Sequence, residues 1–303
     1  CKSRGQCTSI MAPRVYGRKV LATAFLSAVV TVPMLNTFHQ TEMYYARIGE
    51  KSEPVQDLSK KPGKNKVGLC CIAKDEEPYI DEWVDYHLAL GFNKIIVYDN
   101  ADLGELLQWG EEKGPLVEVV PFAGVAKQKE AYLDCATKLI SQHEFKWAAF
   151  FDVDEFLILN QHNHIGAFLE KYLKEGALGI NWRVFGTGGR SVYSPAPVTK
   201  RFQFRFEDGY HPNRHVKSIA NLRDINLNAT VPIRCHYPEL NAGKSQFDTN
   251  GHTFVGAFNN NGPTDVAVIH HYHRKSAKEF LKKRMRGRAT INREQGKVDK
   301  LIE

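Results

Sequence analysis

The stretch of this chain best suited to chemistry is Asp152-Val153-Asp154-Glu155. It follows Trp147-Ala148-Ala149-Phe150-Phe151 and precedes Phe156-Leu157-Ile158-Leu159. An apolar run of this length bounded by polar residues reads as a buried strand. Carboxylates at the end of such a strand are costly unless something cationic offsets them. Period-two alternation points Asp152 and Asp154 to one side and Val153 to the other. Two hard oxygen ligands on one side suit Mg²⁺ or Mn²⁺, ions that usually hold substrate phosphates as well. The bland alternative is a strand that ends in capping carboxylates.

The elements before this stretch place it. Val67 to Ala73 reads as a first buried strand, ending at Lys74-Asp75-Glu76-Glu77, and Pro78 suits the first turn of a helix. Tyr79, Ile80, Trp83, Val84, His87, Leu88 and Leu90 follow at helical spacing until Gly91 stops them. Lys94 to Tyr98 is a second strand, closed by Asp99-Asn100. Leu103 to Lys113 reads as a helix, Leu116 to Phe122 as a third strand and Val125 to His143 as a helix. The Trp147 run is then the fourth strand. Strand alternating with helix over short turns is the pattern of a parallel sheet with helices on its faces. Ligands bind beyond the carboxyl ends of such strands. Asp75/Glu76, Asp99 and Asp152/Asp154 all fall there.

At 303 residues, 43% hydrophobic and 25% charged, the chain has room for one large domain or two small ones plus appendages. The formal charge is +7, and Lys275 to Lys300 carries ten Lys/Arg against Glu279, Glu294 and Asp299. Such a stretch suits phosphates, an anionic membrane face or nucleic acid, or is simply a solvated helix face. Residues 1–19 are basic without an acid, and Val20 to Leu35 is uncharged. These sixteen residues fall short of the roughly 20 that cross an average bilayer. Thinner secretory membranes ease the mismatch, and the preceding positive charge places the N-terminus in the cytoplasm. A signal anchor over residues 1–38 is expected, with a cleaved signal peptide as its rival. A polar stem over 39–66 and a catalytic domain over 67–303 complete the division. Cys70 and Cys71 read as buried thiols, while Cys135 and Cys235 could pair in an oxidising compartment, a point the sequence alone leaves open.

After the fourth strand, Ile165 to Lys174 reads as a helix and Ala177 to Phe185 as a strand. Gly186-Thr187-Gly188-Gly189 is a loop that lacks the Lys-Ser/Thr of a phosphate loop. Tyr193 to Asn261 is expected to form strands and loops around an acceptor site. Asn228-Ala229-Thr230 is a glycosylation sequon, usable only in a lumenal region. Asp265 to His273 is a late strand, and Ser276 to Arg288 a basic helix.

With these pieces placed, the chain resembles glycosyltransferases of the GT-A type, in particular family 92 and its family 2-like relatives. The motifs are Cys70-Cys71-Ile72-Ala73-Lys74-Asp75-Glu76 with Tyr79, Ile80, Glu82, Trp83, Tyr86 and His87, then Gly91 to Asn100. Phe151 to Phe156 and His270-His271-Tyr272-His273-Arg274-Lys275-Ser276 complete the set. The resemblance spans residues 67 to about 290, in order. It implies a Rossmann-like mixed sheet with helices on both faces, preceded by the signal-anchor helix. It implies a nucleotide-sugar donor, a UDP-sugar, and a divalent ion, Mn²⁺ before Mg²⁺. Asp75, Glu76 and Asp99 line the nucleoside pocket on this reading. Asp152 lies near ribose and metal, Asp154 ligates the metal, and His271, with His270 and His273 competing, supplies another ligand. Lys275 then faces the diphosphate.

A departing diphosphate gains negative charge that a dication and a lysine stabilise. The resemblance also implies inversion, which needs a base for the acceptor hydroxyl. Glu207, Asp208 and Asp248 are the candidates, with Asp248 preferred because its loop precedes the histidine strand. The expected acceptor is a glycan, glycoprotein or glycolipid. The expected setting is a type II single-pass membrane protein of the Golgi or secretory pathway, with a lumenal catalytic domain. A non-catalytic nucleotide-sugar-binding protein is the alternative. Nucleic acid is not an expected partner, because no nucleic-acid motif accompanies the basic stretch.

Overall fold

The computed structural model describes residues 65–287. The tail and signal-anchor segment, nearly all of the stem and the basic residues after Gly287 lie outside the described residues. No helix among the described residues is long and apolar enough to cross a membrane.

The first half alternates as its apolar pattern demands. Strands β1 (Lys66–Ala73), β2 (Lys94–Asp99), β3 (Val117–Pro121) and β4 (Phe145–Phe150) are separated by helices α1 (Glu77–Ala89), α2 (Leu107–Lys113) and α3 (Gln128–Ser141). The second half adds β5 (Glu155–Leu159), α4 (Ile165–Tyr172), β6 (Ala177–Val184), the single turn α5 (Val198–Arg201) and β7 (Val216–Asn221). Two short strands, β8 (Gln246–Phe247) and β9 (Thr253–Phe254), precede β10 (Ala267–His271) and α6 (Ala277–Met285). The main sheet runs β3-β2-β1-β4-β7-β6-β10-β5. Its first four strands are parallel. β7 runs against both β4 and β6, and β10 runs with β6 but against β5. The fold is therefore mixed α/β.

Both faces of the parallel half are buried, which is why its strands read as continuous apolar runs. Along β1, Leu69, Cys71 and Ala73 join one core with Ile80, Trp83 and Val84 of α1, and Cys70 joins the other with Ala131, Cys135 and Leu139 of α3. Gly68 is required there, because a Cβ would stand 2.4 Å from Leu139 Cδ1. Burying a ring such as Phe151, fully enclosed in the first core, contributes roughly 3 kcal/mol.

Two expectations are corrected. Cys70 is not a free thiol and Cys135 does not pair with Cys235: a disulfide joins Cys70 to Cys135, tying β1 to α3, while Cys71 and Cys235 are free. Cys70 faces α3 and Cys71 faces α1, so period-two alternation selects which of the adjacent cysteines Cys135 meets. The Trp147 strand also stops short of the acids it was expected to end on. β4 stops at Phe150, the chain turns through residues 151–154, and β5 begins at Glu155 on the opposite edge of the sheet. Asp152 and Asp154 therefore sit in a turn, and strand alternation does not set their directions.

Candidate active site

The turn is held from three sides. The Phe151 amide donates to Cys70 O at 3.1 Å, extending the β1 pairing past the end of β4. The Asp152 amide donates to Glu155 Oε2 at 2.9 Å, and the Glu155 amide to Asp152 O at 2.9 Å. From outside, α1 fastens the strand that follows. Trp83 Nε1 donates to Glu155 O at 2.7 Å, and Tyr86 Oη to Leu157 O at 2.8 Å. His87 Nδ1 donates to Trp83 O at 2.8 Å, so its Nε2 is left to accept the Leu157 amide at 3.4 Å. Burial lowers the His87 pKa to about 3, which keeps it neutral for that task. Trp83, Tyr86 and His87 thus satisfy an edge of β5 and position the acidic turn.

Asp152 points toward β7. Its Oδ1 accepts from Gln128 Nε2 at 2.8 Å and Tyr132 Oη at 3.2 Å, and its Oδ2 lies 3.1 Å from Lys217 Nζ. Lys217 is fully buried and also lies 3.2 Å from Glu155 Oε2. Burial works against the Asp152 charge, but Lys217 outweighs it and holds the pKa below the usual carboxylate range. Glu155 goes the other way. It is fully buried, Asp152 and Asp154 are close by, and its pKa stands well above the usual value despite Lys217. One ammonium cannot fully compensate two carboxylates, and burial pushes the more deeply enclosed Glu155 toward its neutral form.

Asp154 points toward β10 and α6. Register places His271 opposite Glu155, and the Tyr272 amide donates to Asp154 O at 2.8 Å. His271 Nε2 lies 3.5 Å from Asp154 Oδ1, and Lys283 of α6 donates to Asp154 Oδ2. Burial opposes the Asp154 charge, but Lys283, His271 and Lys275 together push its pKa well down. Burial lowers His271, partly offset by Asp154. For Lys283, Asp154 and Glu76 outweigh burial and raise the pKa.

Glu76, beyond the end of β1, meets Arg286 through Oε1 and lies 3.6 Å from Lys275 Nζ through Oε2. Arg286 also donates to the carbonyls of Lys74 and Asp75. Lys275 is buried with a φ of 50°, its Nζ 3.9 Å from the centre of the Tyr79 ring. A capping box of Ser276 and Glu279 starts α6. Glu279 accepts two bonds from Arg201 and one from Tyr79 Oη, all at 2.9 Å, which locks the helix against α1. Asp75, Glu76, Tyr79, Lys275, Lys283 and Arg286 line one cleft.

Among the expected residues, the structure brings Asp75, Glu76 and Lys275 into this cleft, with Asp154 and His271 at its Lys283 side. Asp152 stands beside Asp154 in sequence but turns to Lys217. Asp99, the last residue of β2, is buried, its oxygens accepting the amides of Ala101 and Leu106 at 3.0 and 2.9 Å. Asp248 is buried within its own turn. Its Oδ1 accepts the amides of Asn250 and His252, and its Oδ2 accepts from Asn259. Sequence reasoning missed Lys217, Lys283, Arg286 and the raised pKa of Glu155. A lone lysine inside Val216-Lys217-Ser218-Ile219-Ala220 signals the first, and Glu279, Lys283 and Arg286 share a helix face by spacing.

No group of three or more His, Cys, Asp or Glu side chains among the described residues forms a ready metal cage. The donors present do suit a hard dication: a carboxylate oxygen and an imidazole nitrogen face each other at Asp154 and His271, and the His271 Nδ1 is buried without a partner. The Lys283 ammonium already occupies the second oxygen of Asp154 as a cationic stand-in.

Comparison with known proteins bears on this arrangement. A protein of Arabidopsis thaliana described as a glycosyltransferase family 92 protein is 27% identical over 239 residues, covering 73% of this chain and 37% of its own length. One of Ricinus communis with the same family description is 26% identical over 224 residues, covering 69% and 35%. The chain spans about a third of the length of these curated relatives. Among solved structures, a 4-diphosphocytidyl-2C-methyl-D-erythritol synthase aligns with a TM-score of 0.33 at 9% identity, covering 63% of this chain and 94% of that one. The profile described as glycosyltransferase family 92 matches residues 67–298, which include every element of the cleft. The chain belongs to glycosyltransferase family 92.

Proposed function

We propose that this chain carries the catalytic site of a glycosyltransferase with a GT-A-type fold, moving a sugar from a nucleotide-sugar donor, a UDP-sugar, to a glycan or glycoconjugate acceptor with inversion. The observation that carries the reading is the cleft, where Lys275, Lys283 and Arg286 converge on Glu76 and Asp154 at the ends of parallel strands. Cations held in place by buried acids are preorganised for a leaving diphosphate, whose charge grows as the glycosidic bond breaks. Asp75 and Asp99 remain the donor-side acids of this proposal, and Asp152 is the carboxylate that Lys217, Gln128 and Tyr132 orient.

A divalent ion, Mn²⁺ before Mg²⁺, belongs to the proposal, with Asp154 and His271 as its ligands and Asp152 beside them. It would supply further charge to the diphosphate oxygens. Lys283 would then leave Asp154 Oδ2 and turn to the phosphates.

The experiment is release of nucleoside diphosphate from a panel of nucleotide sugars, with and without Mn²⁺ and a chelator. Turnover that needs the metal and vanishes in Asp154→Ala is expected; full turnover by Asp154→Ala defeats the site assignment. The Lys283 ammonium on Asp154 favours a second reading, nucleotide-sugar binding without transfer, which turnover by purified protein would end.

A lumenal setting in the secretory pathway, behind a type II signal anchor, is proposed with the same reading. The Cys70–Cys135 disulfide and the exposed Asn228 of the sequon support it. Release of intact protein by a carbonate wash of membranes would defeat the anchor.

A further inference from the structure

Next to His271, on the side of the sheet where β6 and β7 meet, is an aromatic cluster that the donor site does not use. Trp182 of β6 lies at its centre. Its ring is 4.2 Å from that of His271, 4.7 Å from that of His215 and 5.3 Å from that of His236. The Trp182 amide donates to His215 O at 2.9 Å, so the backbone fixes the pairing before the side chains pack.

His215 is more constrained than its neighbours. One face of its imidazole stacks on Trp182 at an interplanar angle of 17°, and Phe258 packs against it with ring centres 4.4 Å apart. Residues 215 and 258 are joined by an antiparallel bridge, so Phe258 is held there by main chain. His215 Nδ1 lies 3.0 Å from Pro212 O. A carbonyl can only accept, so Nδ1 carries the hydrogen and the neutral ring presents a bare lone pair at Nε2. Nε2 has no hydrogen-bond partner among the described residues, and the ring is half-buried at the protein surface.

We infer that His215 is the general base that deprotonates the acceptor hydroxyl, through Nε2, in the transfer proposed above. This rests on the glycosyltransferase reading and extends it to the acceptor side. The acceptor oxygen forms its bond to the anomeric carbon as the bond from that carbon to the phosphate oxygen breaks. The electron pair of the broken bond stays on the diphosphate, and the hydroxyl proton passes to Nε2, leaving an imidazolium between two aromatic rings that stabilise a cation. The ring enters the step in the required form, because burial lowers its pKa and keeps it neutral at neutral pH. His236 has the same fixed tautomer, with Nδ1 2.9 Å from Val216 O, but burial lowers it further, to about 4. A base works best with a pKa near the working pH, which favours His215 of the two. Asp248 is less suited, because amides of its own turn already engage Oδ1 and the Asn259 side chain engages Oδ2.

The test uses the full chain with the UDP-sugar and acceptor that give the highest wild-type turnover. His215→Gln, His215→Ala and Asp248→Asn are compared by steady-state kinetics, with UDP binding measured by calorimetry. Loss of a general base costs about 10²-fold or more in kcat. That loss is expected in both His215 variants with UDP affinity unchanged, and added imidazole should restore part of it in His215→Ala. Loss of turnover in Asp248→Asn at unchanged UDP affinity, with His215→Gln unaffected, would give the role to Asp248 and overturn the inference. Wild-type turnover in His215→Gln overturns the inference alone, as does loss of UDP binding in step with turnover, which would make His215 structural. Absence of diphosphate release by the wild type from every donor overturns the glycosyltransferase reading itself.

Discussion

Replacing Lys217 with methionine isolates the interaction that orients Asp152. The change keeps the length and apolar contacts of the stem and deletes one buried ammonium, which lies 3.1 Å from Asp152 and 3.2 Å from Glu155. Removing one partner of a buried ion pair leaves an uncompensated charge and costs about 3–5 kcal/mol. The Asp152 side chain keeps 39% of its surface exposed to screening water, and burial shifts Glu155 toward its neutral form, so the cost should fall near the lower end. For a domain of this size that lowers the melting temperature by roughly 10 °C at pH 7. The pH dependence has a definite sign. Asp152, depressed by Lys217, contributes stability that is complete above its unfolded value of 3.8 and is lost as pH falls through the folded one. Glu155, raised, contributes stability that is complete below 4.5 and is lost as pH rises through its folded value. Lys217→Met removes the first contribution and strengthens the second, so its deficit against wild type should shrink on acidification from pH 7 toward 4. Thermal melts by circular dichroism at several pH values read this directly. A variant that melts with the wild type at pH 7, or whose deficit grows in acid, refutes the charge assignment.

The remaining predictions need less development. Replacing Cys70 and Cys135 together with alanine opens a link 65 residues apart in sequence, and the chain-entropy estimate puts the loss at about 4 kcal/mol; a melting temperature that does not respond to the change would contradict it. Glu279 is pulled down to about 2 by Arg201, Ser276 and Tyr79, against the push of burial. Its depressed carboxylate adds stability above 4.5 that is lost as pH falls toward 2, so acid titration of Arg201→Met should lack that step. Mn²⁺ alone should bind weakly by calorimetry and more tightly once UDP is present; equal affinity in both conditions would contradict a cleft that repels a free dication.

The parallel half was legible because burial on both faces leaves unbroken apolar runs, and helices supply the polar interruptions. The break after Phe150 was not. Phe156 to Leu159 is as apolar as the strand before it, and the turn depends on Glu155 folding back onto the Asp152 amide, a contact that periodicity does not register. The order β7-β6-β10 rests on long-range pairing, antiparallel between β7 and β6 and parallel between β6 and β10, which the weak alternation in Tyr193 to Asn261 does not announce. Trp83, Tyr86 and His87 read as a motif, but only the structure shows that they serve the edge of β5. His271 was legible by motif, whereas His215 and His236 sit outside any helical or strand rhythm.

The cost of carboxylates at buried strand ends called for a compensating cation, and a metal was the expected answer. The chain itself supplies that compensation. Lys217 serves Asp152 and Glu155, and Lys275, Lys283 and Arg286 serve Glu76 and Asp154. The lining of the cleft carries Arg274, Lys275, Lys282, Lys283 and Arg286 against Asp75, Glu76 and Glu279, with Asp154 beside Lys283. A cleft with an excess of positive charge repels a free dication and attracts a polyanion. A diphosphate entering it would draw Lys283 and Arg286 onto its own oxygens and free Asp154 to bind a metal. On this accounting a metal would arrive with the nucleotide or after it, and Lys283 would hold Asp154 in its charged form until then.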